Sequence, residues 1–565
     1  MSLLKTVASR VTGIVLYYDG TRPTFFSTDS QTPNAAFGLY SNLTSTEWHV
    51  WNPNGSSLMY SDIGFPIFGL LPVTAAYSQA IGTIEAAVAF NKGRGYSHYP
   101  LYGLQFDALM YGALEASTCL RRGFCSPVGG NSVWSTYSTN ISANDGKPVI
   151  VVAAKMDSAA LIHDYAYGAS ELTGLVAMLG VAEALGRVTS SSLSSLSSNI
   201  VFAAFNAETW SFAGSQRFVK DLVTPFSCTS TSSDSTTKCP MTGAACSDPC
   251  FISTNFTSIS FNSIQSIVEF GTVGGFGLSS LQSGVNYYLH VDSVFSGTTS
   301  LRNSFADSFT APAFNGSSSV PVTISAASVG STNNRLPPSS AMSFLQQRNI
   351  PAVYISDYQN SFSNSFYNSE WDDGSQWNSN NVAALCGLIN STAYHLYQLA
   401  GGSASNAASI SVNCTLVNLF FMFVLRLNLM DLIYWVCHLQ VGALLDCFTR
   451  NISCSLLSNF NLGDPQPSTQ STYPSVYQPG GVGIIPYSVF NLLFNWTAAN
   501  GASNLPCATT AACVNGYPGY ACVANKCLFS MTNYHRAFGT GLEYNGGKNV
   551  YGVTNGALGS WTESQ

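Results

Sequence analysis

The sequence predicts a mixed α/β fold: a largely parallel sheet flanked by helices, joined to a smaller α/β lobe. Three observations predict it. An apolar run from Val149 to Ala154 is followed by an Ala-, Leu- and Val-rich stretch from Gly168 to Leu185, and then by a second apolar run from Asn199 to Phe205. Two strands apolar on both faces, joined by a helix, belong to a parallel sheet covered by helices on each side. Residues from about 11 to 120 are different in kind, mixing short strand-like runs with loops rich in Gly, Asn and Pro.

In the small lobe, residues 1–125, Thr12 to Tyr18 and Phe65 to Leu71 read as strands. Between them Asn42 to Tyr60 is polar, aromatic and punctuated by Gly and Pro, with Trp48, His49 and Trp51 close together. Such a segment is too irregular for a helix and too long for a turn, so it is a candidate lid. The large lobe spans 126–565. Beyond its first strand–helix–strand unit, strands are expected at Ser266 to Phe270, Val285 to His290 and Ala352 to Ile355, with helices at Ala341 to Arg348 and Val382 to Leu399. The Ser-rich stretch Thr189 to Ser198 reads as a loop, 228–250 as an insertion stapled by cysteines, and 507–527 as a second Cys-rich segment. Leu416 to Val436 is the strongest hydrophobic run, but Asn418, Arg426, Asn428 and Asp431 interrupt it. Such side chains are expensive in lipid, so a buried helix is expected there. The last hundred or so residues show short apolar pieces among Gly, Asn and Pro, and no element is placed in them.

At 565 residues the chain exceeds what one core ordinarily organises. A hydrophobic fraction of 46% with 13% aromatics excludes a disordered chain, while 9% charged residues is low for a soluble surface. Asn-x-Ser/Thr acceptors at Asn42, Asn54, Asn140, Asn255, Asn315, Asn390, Asn413, Asn451 and Asn495 predict that N-linked glycans keep that surface wet. Fifteen cysteines in tight local groups, Cys119 with Cys125 among them, point to disulfides and an oxidising compartment. A zinc ribbon needs two close Cys-x-x-Cys pairs, which the spacings Cys239, Cys246, Cys250 and Cys513, Cys522, Cys527 do not supply. The odd count leaves one thiol free or paired outside this sequence. A net charge of −7 without a basic run excludes nucleic acid as the expected partner. Met1 to Arg10 lacks an apolar run of signal-peptide length, so the start is expected to fall inside a mature protein.

Functional side chains of open parallel sheets gather at the carboxyl ends of the strands. The first such end is Ala154-Lys155-Met156-Asp157-Ser158, where alternation puts Lys155 and Asp157 on one side. The second is Phe205-Asn206-Ala207-Glu208-Thr209-Trp210, running on through Gly214-Ser215 into a helix. Between them Gly168-Ala169-Ser170-Glu171 opens the intervening helix with a third carboxylate.

These segments resemble the zinc-aminopeptidase and glutamate-carboxypeptidase superfamily, whose corresponding motifs are His-x-Asp-Ser, Gly-Ala-Asn-Asp and Gly-Glu-Glu followed by Gly-Ser. By that resemblance the zinc-binding His falls on Lys155, the ligand-orienting Asp on Asp157, the metal-bridging Asp on Glu171 and the general-base Glu on Glu208. A second zinc-binding Glu falls on Thr209, a later Asp on Gly271 and a distal His on Asn368. A catalytic zinc needs about three lone-pair donors, and a lysine ammonium has none. Lys155 is instead expected to stand in for the metal, neutralising Asp157 and Glu208. No zinc and no other cofactor is expected. The alternatives are an ion pair kept only for packing, or a working secreted aminopeptidase with ligands elsewhere, His163 and His290 being the nearest histidines.

Within that superfamily the chain resembles the nicastrin family, in which a Glu-Thr-Phe-Asp-Tyr-Ile-Gly-Ser sequence stands where Glu208 to Ser215 reads Glu-Thr-Trp-Ser-Phe-Ala-Gly-Ser. The family's Asp and Tyr fall on Ser211 and Phe212. Leu336-Pro337-Pro338-Ser339-Ser340, Phe344 to Ile350, Phe65 to Phe68 and Thr118 to Arg122 are similar to further family segments. The resemblance implies a non-catalytic receptor and scaffold subunit of γ-secretase, an intramembrane protease, selecting type I membrane-protein stubs with short ectodomains. It implies a pocket formed by Lys155, Asp157, Glu171, Glu208, Thr209, Ser211 and Phe212, with Trp51 on the lid and the substrate's amino terminus meeting Glu208. The implied partners are presenilin, Aph-1 and Pen-2 type membrane subunits. Ser560 to Ser564 resembles the segment before a single membrane helix, so an extracellular or lumenal domain of a type I membrane protein is expected, its anchor lying outside this sequence. A purely structural assembly subunit is the remaining alternative.

Overall fold

The structure is a computed structural model, described here over residues 12–564 apart from 18–20, 62–63, 71–76, 96–97, 104, 106–114, 123–124, 140, 225–257, 277–283, 310–319, 330–333, 408–409, 411, 413–440, 460–470, 475–482, 499–505, 508–512, 514–519, 524–525, 546–549 and 555–558. The insertion at 228–250 and the hydrophobic run from Leu416 lie outside the described residues.

Two short parallel strands, β1 (Ile14–Tyr17) and β2 (Ile67–Leu70), make the sheet of the small lobe, and α1 (Tyr77–Gly93) follows them. Then α2 (Ala116–Arg122) and β3 (Cys125–Pro127) lead into the main sheet: β4 (Asn131–Thr136), β5 (Val149–Lys155), β6 (Asn199–Phe205), β7 (Ile264–Phe270), β8 (Val285–His290), β9 (Val322–Ala326) and β10 (Ala352–Ser356). Its last member comes from the far end of the chain. After the hairpin of β11 (Tyr520–Val523) and β12 (Lys526–Phe529), β13 (Asn533–Arg536) pairs antiparallel with β4. The order is β13-β4-β6-β5-β7-β10-β8-β9. The central pairings β6–β5, β5–β7 and β7–β10 are parallel, as is β8–β9, whereas β13–β4, β4–β6 and β10–β8 are antiparallel. The expected mixed, largely parallel sheet is present, and β4 and β13, which the sequence did not reveal, extend one edge.

The alternation in β5 and β6 accounts for two cores. Ile150, Val152, Ala154, Phe202 and Ala204 face one layer, while Val149, Val151, Ala153, Val201, Ala203 and Phe205 face the other. The first layer is built on α3 (Ala169–Gly186), buried on every side from Ala169 to Leu185 and therefore apolar all round. Over it lie α8 (Ser379–Leu399), α9 (Val441–Thr449) and α10 (Ile484–Ala498); the second layer is led by α5 (Ala213–Val223) and α7 (Ala341–Leu345). Between these in sequence, α4 (Ser190–Ser194) and α6 (Thr298–Phe309) complete the helices used below. By length and composition α3 is the one helix among the described residues that could cross a membrane, and it is 94% buried in this core.

Three expectations change. Thr189 to Ser198 is not wholly a loop, because the Thr189 side chain accepts from Ser192 N and caps α4. The helix expected to run from Ala341 to Arg348 ends at Leu345, and Arg348 turns away to donate to the carbonyls of Phe261 and Ile264. Conversely α8 starts three residues earlier than expected, at Ser379, where Asn378 and Asn381 form a reciprocal capping box.

The tail is tied back by chemistry no local pattern announces. Arg217 of α5, 2% exposed, donates to the carbonyls of Phe538, Gly539 and Leu542 and to Glu543, at the start of β14 (Leu542–Asn545). That strand pairs with β15 (Val550–Val553), and β16 (Thr562–Ser564) pairs with β3. Cys119 and Cys125 are bonded as expected, and further bridges join Cys447–Cys454, Cys507–Cys522 and Cys513–Cys527.

Candidate functional site

Of the expected pocket residues, Lys155, Glu171, Glu208 and Phe212 line one cleft at the carboxyl ends of β5, β6, β7 and β10, whereas Asp157, Thr209 and Ser211 are not among its lining residues. Its walls include Asn34, Lys155, Glu171, Glu208, Phe212, Glu269, Gly271, Ser339, Ser340, Tyr354 and Tyr367.

Lys155, the last residue of β5, pairs with Glu171 of the first turn of α3, Nζ to Oε1 at 3.3 Å, and lies over the Tyr367 ring, 5.3 Å from its centroid. Burial works against its charge, but the Glu171 and Asp157 carboxylates hold its pKa above the ordinary lysine value. The expected neutralisation is met for Asp157, whose ionised form the Lys155 charge favours, while the direct ion partner of Lys155 is Glu171 rather than Glu208. Asp157 turns instead to the backbone, its two oxygens accepting from Glu208 N at 2.8 Å and Thr209 N at 3.0 Å.

That bracing suits the turn after β6. Ala207, Ser211 and Phe212 all have φ near +59°, a left-handed conformation costing about 1–2 kcal/mol for each such residue. Gly214 follows where a Cβ would sit 2.1 Å from the Asn206 carbonyl oxygen, which only glycine tolerates. The turn presents Glu208 inward, 2% exposed. Glu208 accepts from Ser215 N at 2.7 Å, Ser215 Oγ at 2.8 Å and Ser340 Oγ at 2.8 Å. Burial, with the Asp157 charge adding, pushes its pKa up to about 8.

The other inferred positions are filled in ways the sequence did not disclose. A Cβ at Gly271 would lie 1.9 Å from the Tyr354 hydroxyl, so the tyrosine occupies the space a side chain there would need. Asn368, fully buried with φ of 47°, accepts from Ala159 N at 3.2 Å and donates to Asp29 Oδ2 at 2.8 Å. His290 is fixed by Ser356 Oγ and the Tyr358 carbonyl, and burial lowers its pKa to about 4; His163 stacks on Tyr473. Among the described residues the one close group of three potential metal ligands is Cys507, Cys513 and Cys527, and all three are in disulfides.

Three site residues were missed. Glu269 accepts from Ser340 N at 2.9 Å and Ala341 N at 2.8 Å, and burial pushes its pKa up to about 7. A lone carboxylate in the apolar strand Ile267-Val268-Glu269-Phe270 was the available signal. Asn34 donates to the Glu208 carbonyl at 2.7 Å and accepts from Ser211 N at 3.1 Å, while Asp29 reaches Asn368; neither has a local signature.

Asn34 and Asp29 precede the candidate lid, 42–60, in the small lobe. The candidate lid is an irregular loop ending in the single turn Leu58–Tyr60, and Trp51 in it is 5% exposed. Trp51 packs against His290 and Tyr358 of the large lobe, and its carbonyl accepts from Phe362 N at 2.8 Å. Tyr40, Trp48, Trp51 and Arg335 line a hollow that shares Asn34, Phe212 and Pro338 with the charged cleft.

Of the acceptor asparagines, Asn42 and Asn451 are exposed and Asn54 is half-buried. Asn390 and Asn495 lie within α8 and α10 with Thr392 and Thr497 buried, while Asn140, Asn255, Asn315 and Asn413 lie outside the described residues.

Residues 148–410 match the family described as the Nicastrin large lobe, and 1–112 the Nicastrin small lobe. The nicastrin of Dictyostelium purpureum is 30% identical over 98% of this chain and 76% of its own length. The chain belongs to the nicastrin family. The nicastrin of Arabidopsis thaliana is 28% identical over 92% of the chain and 70% of its length, and that of Homo sapiens 26% identical over 76% and 60%. The crystal structure of the gamma-secretase component Nicastrin superposes with a TM-score of 0.72 at 26% identity, covering 99% of this chain and 85% of that one. With burial pushing Glu208 up to about 8 and Glu269 up to about 7, the charged pair of this cleft is Lys155 with Glu171.

Proposed function

We propose that the chain is a non-catalytic receptor and scaffold subunit of a γ-secretase-type intramembrane protease, on its extracellular or lumenal side. Presenilin, Aph-1 and Pen-2 type subunits are its proposed partners. Its pocket meets the amino terminus of membrane-protein stubs, and its bulk holds back substrates with long ectodomains. The observation that carries this reading is a cleft with aromatic walls in which the Glu171 carboxylate, paired with Lys155 alone among the described residues, keeps acceptor capacity for an ammonium group attached to an apolar chain end.

The reading includes no metal and no hydrolysis. Zinc is poorly matched to these donors, because an ammonium stands at the first inferred ligand position, Tyr354 fills the space beside Gly271, and both ends of the Asn368 amide are engaged. Without a metal-bound water, Glu208 has nothing to activate. Metal analysis of the purified chain, paired with an amino-acid-amide cleavage assay, tests this: stoichiometric zinc and chelator-sensitive hydrolysis would replace the proposal with a working aminopeptidase.

A purely structural subunit is the second reading, favoured by the full set of hydrogen bonds on Glu208. The two separate in the assembled complex. Cleavage that falls when the substrate's amino terminus is acetylated supports a receptor, and cleavage indifferent to acetylation supports a scaffold alone.

A further inference from the structure

We propose that Glu171, assisted by Ser339, is the group that reads an incoming amino terminus, and that Glu208 is a positioning residue. The proposal rests on the receptor reading above and reassigns who performs it. Hydrogen-bond capacity decides between the carboxylates. Both oxygens of Glu208 are occupied by Ser215 N, Ser215 Oγ and Ser340 Oγ, and the group is 2% exposed. An ammonium arriving there would have to displace donors that hold α5 against α7, leaving buried groups unpaired. Glu269 is likewise spent, one oxygen on Ser340 N and the other on Ala341 N.

Glu171 is different. Among the described residues its carboxylate has one partner, Lys155 at 3.3 Å, and it is 8% exposed, the most open of the three acids lining the cleft. A carboxylate has capacity for about four hydrogen bonds, so one ion pair leaves room for an ammonium. Ser339 supplies an independent indication. It lines the same cleft and is 3% exposed, yet its Oγ has no hydrogen-bond partner among the described residues. Buried hydroxyls are normally paired, and an unpaired one at a cleft wall is suited to donate to a ligand oxygen. The ligand class that satisfies both is an α-ammonium with a neighbouring carbonyl, the amino end of a peptide: its ammonium on Glu171, its first carbonyl oxygen on Ser339.

The test uses the full chain and a tetra-alanine peptide, with a free or an acetylated amino terminus, measured by titration calorimetry. In the parent the free form is expected to bind about tenfold tighter or more, as a charge-assisted hydrogen bond contributes. Glu171→Gln is expected to bring that ratio to about one, with Glu171→Asp restoring part of it. Ser339→Ala removes no side-chain hydrogen bond among the described residues, so it tests the site without threatening the fold; it is expected to weaken the free peptide about three- to tenfold. A ratio kept by Glu171→Gln, or an affinity untouched by Ser339→Ala, overturns the assignment. If Glu208→Gln is then the variant that abolishes the ratio, the amine belongs to Glu208 and the receptor reading stands. A parent ratio of one sinks the receptor reading itself.

Discussion

Glu208→Ala and Glu208→Gln together measure how the buried carboxylate is held. Alanine would leave Ser215 N and Ser340 Oγ without an acceptor in residues that are 0% and 1% exposed, at about 1–3 kcal/mol for each. With the void left behind, a loss of about 3–5 kcal/mol is expected. Glutamine keeps the shape but cannot ionise, so it isolates the pH dependence. The folded chain holds the Glu208 proton up to about pH 8, whereas an exposed Glu releases it near 4.5. Between these values the folded state binds more protons than the unfolded one, so stability falls as pH rises. Each pH unit of that separation is worth about 1.4 kcal/mol, which puts the Glu208 contribution between pH 5.5 and 7.5 at about 3 kcal/mol. Guanidinium unfolding at those two pH values is the assay, with the parent losing about 3 kcal/mol more than Glu208→Gln over the interval. Equal pH slopes in the two proteins, or an alanine variant within about 1 kcal/mol of the parent, would refute the hydrogen-bonded, proton-retaining picture.

Three further outcomes are expected. Trp51→Ala removes a buried indole from the large-lobe aromatic cluster and should cost about 3–5 kcal/mol locally, seen as faster hydrogen exchange and protease cutting between 42 and 60. Arg217→Ala removes the donor to three tail carbonyls and Glu543, and should lower stability by about 3–5 kcal/mol while exposing the chain near 538–543 to proteolysis. Gly271→Ala should cost about 1–3 kcal/mol by forcing Tyr354 aside, a loss that a smaller residue at 354 should partly relieve in a double-mutant cycle of thermal melts.

Much of the sheet was legible because it is central. β5 and β6 are apolar on both faces since helices cover both, and that signal survives without any knowledge of partners. β4 and β13 were not legible: Asn131-Ser132-Val133-Trp134-Ser135-Thr136 and Asn533-Tyr534-His535-Arg536 are polar, and their burial depends on pairing across about four hundred residues. Ser135 Oγ shows the compensation, bonding to Thr497 and Thr532 in the interior. Helix limits failed where a side-chain cap decided them, as Thr189 and Asn378 did.

The sequence by itself determined which acidic and basic groups stand at the ends of β5 and β6, and that Lys155 offers a charge but no lone pair, because these follow from residue identity and strand period alone. The tertiary structure decided the pairing: Lys155 with Glu171, Asp157 with two backbone amides, Glu208 with Ser215 and Ser340, Asn368 with Asp29. Hydrogen-bond partners are set by distances of about 3 Å between segments remote in the chain, and no local pattern encodes those.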